Sequence, residues 1–85
     1  LILMDVGMPG CDGLEATKRI KRVLPATTIV MLTVQDDEEK LFEAIKWGAQ
    51  GYLLKNMRSR PMLALLRGAV QGQAAITPAL AGRML

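Results

Sequence analysis

The chain of 85 residues is 51% apolar and 22% charged, with a net charge of +3. Leu, Ile, Val and Phe make up 24 of the 85, or 28%, above the level of about 20% below which chains tend to stay disordered, so a folded core in a single domain is expected. The longest apolar run, Met62–Leu66, is five residues against the roughly 18–20 of a membrane span, no signal peptide is visible, and one cysteine, Cys11, without any histidine excludes an internal disulfide or a zinc site.

In chain order, Leu1–Asp5 reads as a buried strand that ends in one acid and runs into a Gly- and Pro-rich stretch, Gly7–Gly13. Ala16, Ile20, Val23 and Leu24 then recur at helical spacing, with Lys18, Arg19, Lys21 and Arg22 opposite them and Asp12 placed to cap. That pattern predicts an amphipathic helix stopped by Pro25. Thr28–Thr33 is β-branched and apolar, a second buried strand. Gln35–Glu39 is acidic, as suits a helix start, with Asp36 as its cap. Leu41, Ala44, Ile45 and Gly48 share one face of this second helix, Phe42 and Trp47 read as half-buried, and Gly48 is its stop. Gly51–Leu54 is a third strand. Ser59 is placed to cap a third helix with Pro61 in its first turn, an apolar stripe of Met62, Leu65, Leu66, Ala69 and Val70, and Gly72 at its end. Thr77-Pro78 opens a fourth helix.

The order β-α-β-α-β-α, with strands apolar throughout, predicts an α/β fold with a parallel sheet, helices on both faces and right-handed crossovers. Ligands of such sheets bind at the carboxyl ends of the strands, which singles out Asp5, Thr33 and Lys55. A carboxylate there can act as a nucleophile and form an acyl phosphate. The lysine would neutralise phosphoryl oxygens, the threonine hydroxyl would donate to another, and a divalent cation would meet the remaining charge. No Gly-x-Gly-x-x-Gly or Gly-Lys-Thr/Ser loop is present to hold a nucleotide.

Three segments carry a resemblance. Leu3-Met4-Asp5-Val6-Gly7-Met8-Pro9-Gly10-Cys11-Asp12-Gly13-Leu14 resembles the phosphoacceptor segment of two-component response-regulator receiver domains. Met31-Leu32-Thr33-Val34 matches that family's strand ending in Thr or Ser, and Gly48-Ala49-Gln50-Gly51-Tyr52-Leu53-Leu54-Lys55 its Gly-Ala-x-Gly-aromatic-Leu-x-Lys segment. The order and spacing are those of one helix between successive motifs. Thr33–Glu38 and Gly51–Asn56 are similar to the LuxR/NarL-type transcriptional regulators, and Ile76–Ala81 to the start of their linker helix.

The resemblance implies a flavodoxin-like (CheY-like) fold in residues 1–75, with 76–85 beginning the linker to a helix-turn-helix DNA-binding domain outside this chain. It implies phosphorylation of Asp5 by a sensor histidine kinase, a hydrogen bond from Thr33 and an ion pair from Lys55 to the phosphoryl group, and Tyr52 as the aromatic that turns inward as Thr33 moves. Magnesium would be held by Asp5 and the backbone carbonyl of Gly7. The output surface would comprise residues 36–48 and 51–54, and contact with DNA would run only through the absent domain. The whole would work as a cytoplasmic phosphorelay switch for transcription, not as an enzyme and not at a membrane.

The chain departs from the family chiefly by an absence. It is expected to begin at the third of five strands ordered 2-1-3-4-5, and so to lack the pair of acids that holds magnesium after the first. Asp36 and Asp37 do not replace that pair, since they open a helix after a different strand. Weak magnesium binding and inefficient phosphorylation follow as expectations. The strand Leu1–Asp5 then becomes an exposed apolar edge, for which association into a homodimer is expected. A phosphorylation-independent dimerisation or interaction domain is the alternative function. Residues 43–85 hold six bases and one acid, a scatter that reads as solvated surface, and Cys11 reads as a bystander thiol.

Overall fold

The structure, a computed structural model, describes residues 1–6, 12–34, 38–77 and 81–82, with Glu38 described by its backbone alone. The expected stop loop with Gly7 and Cys11, the Asp36 cap with Asp37, and most of the fourth helix lie outside these residues.

Seven elements follow in order: β1 (Ile2–Asp5), α1 (Gly13–Val23), β2 (Ile29–Thr33), α2 (Glu38–Lys46), β3 (Gly51–Leu54), α3 (Ser59–Val70) and β4 (Ala75–Ile76). The strands form one sheet, β1-β2-β3-β4, with every neighbouring pair parallel. Successive residues of each strand point to opposite faces, and both faces are apolar. On one, Met4, Ile29, Met31 and Tyr52 pack with Leu14 of α1 and Leu41 and Ala44 of α2. On the other, Val30, Leu53 and Ala75 pack with Ala69, Leu65 and Leu66 of α3. That two-sided burial is why the strands read as unbroken apolar runs.

β4 is the element the sequence pattern missed. Ile76, read from sequence as the first residue of the linker segment, is instead in register with Tyr52 on the edge of the sheet. It also breaks the handedness rule. The three crossovers step the same way across the sheet, but α1 and α2 cover one face and α3 the other. The β3-α3-β4 crossover therefore has the opposite hand to the first two, against the right-handed rule that holds in about 98% of cases.

The helices differ in detail from the expected faces. In α1 the Asp12 carboxylate accepts from the Leu14 amide at 2.9 Å, the expected cap. The buried residues, however, are Gly13, Leu14 and Thr17, while Val23 is 76% exposed and Leu24 57%. Both stand at the carboxyl end of the helix, Val23 as its last residue and Leu24 as its C-cap. The Thr17 hydroxyl donates to the Gly13 carbonyl at 2.9 Å and lies 3.2 Å from the Met31 sulfur, pinning α1 to β2. In α2, Leu41 and Ala44 are fully buried, and Phe42, 46% exposed, is half-buried as expected. Gly48 follows with φ +102°, a left-handed turn that favours glycine, and it stands exposed instead of sharing the buried face.

The start of α3 is capped differently from expectation. Arg58 is its extended N-cap residue and makes no side-chain capping bond, and Ser59 is already inside the helix. Ala69 is buried, but Val70 is exposed, and Gly72 ends the element with φ +92°. Past β4, Ala81 and Gly82 are helical, where the fourth helix is expected, and the Ala81 amide donates to the Thr77 carbonyl at 2.9 Å. No helix of the described residues is long and apolar enough to cross a membrane.

Candidate functional site

Because the strands are parallel, their last residues share one rim of the sheet. Asp5 ends β1, Thr33 ends β2, and Lys55 follows the last residue of β3. The backbone ties these ends together: the Val6 amide donates to the Leu32 carbonyl at 3.0 Å and the Lys55 amide to the Thr33 carbonyl at 2.7 Å. Across this frame the Lys55 ammonium donates to the Asp5 carboxylate, reaching over the end of β2. The pair is open to water, with side chains 39% and 29% exposed, while Thr33 is 7% exposed beneath it. All three rim residues expected from sequence are thus brought together.

The peptide of Asp5 has a neighbour that motif reading did not use. A Cβ on Gly13 would overlap the Asp5 carbonyl oxygen and stand 3.0 Å from the Val6 Cα. The first residue of α1 must therefore be glycine for the helix to press against the backbone of Asp5. Its only signal in sequence is its place in the motif.

Tyr52 lies on β3, three residues before Lys55, and is fully buried beneath α2 in the cluster with Met31, Leu41 and Ala44. Gln50, just ahead of β3, was also unassigned from sequence. Its side-chain oxygen accepts from the Ile29 amide at 3.0 Å, its amide donates to the Ile29 carbonyl at 2.8 Å, and its carbonyl accepts from Ala75 at 3.0 Å. It joins three strands at the rim opposite the site.

Two further surfaces are defined. Glu39, Phe42, Glu43 and Lys46 line a shallow groove on the outside of α2, within the expected output surface. Trp47 carries two ammonium groups over its ring, Lys18 of α1 at 4.4 Å from the centroid and Lys46 at 5.3 Å. Lys18 is therefore a bridge between α1 and α2 as well as part of a solvated face.

The donor set for a metal is incomplete. Among the described residues no three His, Cys, Asp or Glu side chains gather to hold an ion. At the rim an ammonium already faces the Asp5 carboxylate. Magnesium asks for near-octahedral oxygen ligands and holds poorly to one carboxylate alone. The residues described thus do not fit a tight magnesium site, and the Gly7 carbonyl lies outside them.

The geometry agrees with comparisons to known proteins. The response regulator receiver domain model matches residues 1–67. The uncharacterized transcriptional regulatory protein YxjL of Bacillus subtilis (strain 168) is 45% identical over 85 residues, all of this chain and 39% of that protein. The oxygen regulatory protein NreC of Staphylococcus carnosus (strain TM300) is 40% identical over 79 residues, 92% of this chain and 36% of that one. Among solved structures, a two-component response regulator of the LuxR family from Aurantimonas sp. SI85-9A1 superposes with a TM-score of 0.86 at 25% identity, covering 96% of this chain and 59% of that one. The chain therefore spans about two fifths of the length of these curated relatives. With the sheet, the rim residues and the matched model in agreement, the chain belongs to the response regulator receiver domain family, among regulators of the LuxR/NarL type.

Proposed function

We propose that Asp5 is the phosphoacceptor of a two-component switch that controls a DNA-binding output. The observation that supports this reading most directly is the Lys55 ammonium seated on the Asp5 carboxylate beside Thr33. In the step, an Asp5 carboxylate oxygen attacks the phosphorus of a phosphohistidine on a sensor kinase. The P–N bond breaks, the imidazole leaves with the electron pair and takes a proton, and an acyl phosphate remains. Lys55 then pairs with the phosphoryl oxygens instead of the free carboxylate, and the Thr33 hydroxyl donates to another. Magnesium, when bound, would neutralise phosphoryl charge; the oxygen ligands beyond Asp5 have to come from outside the described residues.

Acetyl phosphate, at high magnesium concentration, tests this reading on the 85-residue chain. Slow labelling that disappears in Asp5→Asn is the expected result, with a rate below that of a complete receiver. Label that survives Asp5→Asn, or no label after prolonged incubation, overturns it.

A second reading rests on a separate observation. Among the described residues β1 is an edge strand, and Leu1 just before it and Leu3 within it are 55% and 46% exposed. An uncovered apolar edge favours pairing between two copies, independent of phosphorylation. Light scattering with and without beryllofluoride separates the two. A dimer indifferent to the reagent supports the second reading, and a strict monomer removes it.

A further inference from the structure

Four side chains form one row across the sheet. Met4 is in register with Met31, Met31 with Tyr52, and Tyr52 with Ile76. All belong to or pack against the cluster under α1 and α2. The row starts one residue before Asp5, passes two before Thr33 and three before Lys55, and ends on the last residue of β4. Directly beyond Ile76, the carbonyl of Thr77 accepts the Ala81 amide.

β4 is held by little. It is two residues long and reached by the crossover of disfavoured hand. Its two side chains face opposite ways. Ala75 sits against α3's side of the sheet, and its place depends on the missing side chain of Gly51, where a Cβ would stand 2.6 Å from Ala75's own. Ile76 is the strand's sole apolar contact with the face that contains Tyr52. Besides the backbone bonds near Gln50, the docking of the strand's carboxyl end rests on the Tyr52 side of the core.

We infer that β4 is a latch set by Tyr52. With the ring buried, Ile76 has an apolar bed and the strand is docked. When the ring turns outward, Ile76 loses that bed, β4 loosens, and the segment after Thr77 is freed to reorient, so a phosphoryl group that draws the ring inward keeps the latch closed. The stimulus rests on the phosphoacceptor reading of Asp5, Thr33 and Lys55; the coupling of Tyr52 to Ile76 does not. It places the signal at the exit of the chain as well as on the outer face of α2, and coupling of this kind must be reciprocal.

Hydrogen exchange and ring resonances test both directions. The Ala75 amide, bonded to Gln50, reports on the latch, and the amides of β2 report on global opening. In Tyr52→Leu, Ala75 exchange is expected to accelerate by about tenfold more than that of β2, the signature of local release. Tyr52 is the only tyrosine, so in Ile76→Ala its ring resonances are expected to shift while α2 stays folded. Ala75 exchange that is unchanged, or that rises only in step with β2, overturns the latch, as does a Tyr52 ring indifferent to Ile76→Ala. Magnesium with beryllofluoride then addresses the stimulus. Shifts at Asp5, Thr33 and Lys55 together with altered Ala75 exchange are expected. Shifts at the rim without any effect on Ala75 defeat the latch, whereas no shift at the rim defeats the phosphoacceptor reading and leaves the result of the substitutions standing.

Discussion

Lys55 and Asp5, fifty residues apart in the chain, meet across the end of β2, so the ion pair exists only when three strands are in register. Both side chains are partly open to water, a setting in which such pairs contribute about 0–1 kcal/mol. Lys55→Ala should therefore shift the urea midpoint little. Phosphoryl labelling of Asp5 should fall by about tenfold or more, since a charge-assisted bond to the product is lost. Equal losses in stability and labelling would mean that the lysine serves the fold.

Gly13→Ala should act in the opposite sense to helix propensity. An alanine gains roughly 1 kcal/mol over glycine within a helix, yet its Cβ would run into the Asp5 carbonyl and the Val6 backbone. Backbone cannot swing away as a side chain can, and overpacking costs about 1–3 kcal/mol. A lowered melting temperature with a displaced Asp5 amide resonance is the expected outcome.

Leu41→Ala and Val23→Ala form a matched pair on the two helices of one face. Leu41 is fully buried under α2, and its truncation should cost about 2–5 kcal/mol, a large part of the stability of a domain this small. Val23 is 76% exposed, and its truncation should stay within about 0.5 kcal/mol. Denaturant titration of both variants checks the assignment of the faces.

Trp47 is the only tryptophan and reports on the α1–α2 contact through its fluorescence. Lys18→Ala should remove the closer of its two cations at a cost of about 0.5–1 kcal/mol, and change the emission. Lys46→Ala, with the more distant ammonium and no link to α1, should have the smaller effect on stability.

Much of this arrangement was legible in the residues. Buried strands announce themselves as short apolar runs, and parallel order puts their final residues on one rim, which is how Asp5, Thr33 and Lys55 could be grouped. What escaped reading depends on long-range partners. Two residues such as Ala75 and Ile76 show no period, and their pairing depends on space left by Gly51. Thr17 is polar and so has no place in an apolar stripe, though it is buried with its hydroxyl satisfied internally by Gly13. Val23, Leu24 and Val70 have the right character and spacing for a core, but they stand at the carboxyl ends of α1 and α3 and are exposed. Ser59 is a good capping residue one position too late, with Arg58 at the boundary.

The sheet is closed by unlike chemistry at its two rims. At the amino rim Gln50 ties neutral amides of β2 and β4, and at the carboxyl rim a solvent-facing ammonium and carboxylate span β1 to β3. Dissolved electrolyte screens the second kind of bond and hardly touches the first. Raising ionic strength should thus part only the side chains of Asp5 and Lys55, while the backbone bonds that join the strand ends at both rims hold.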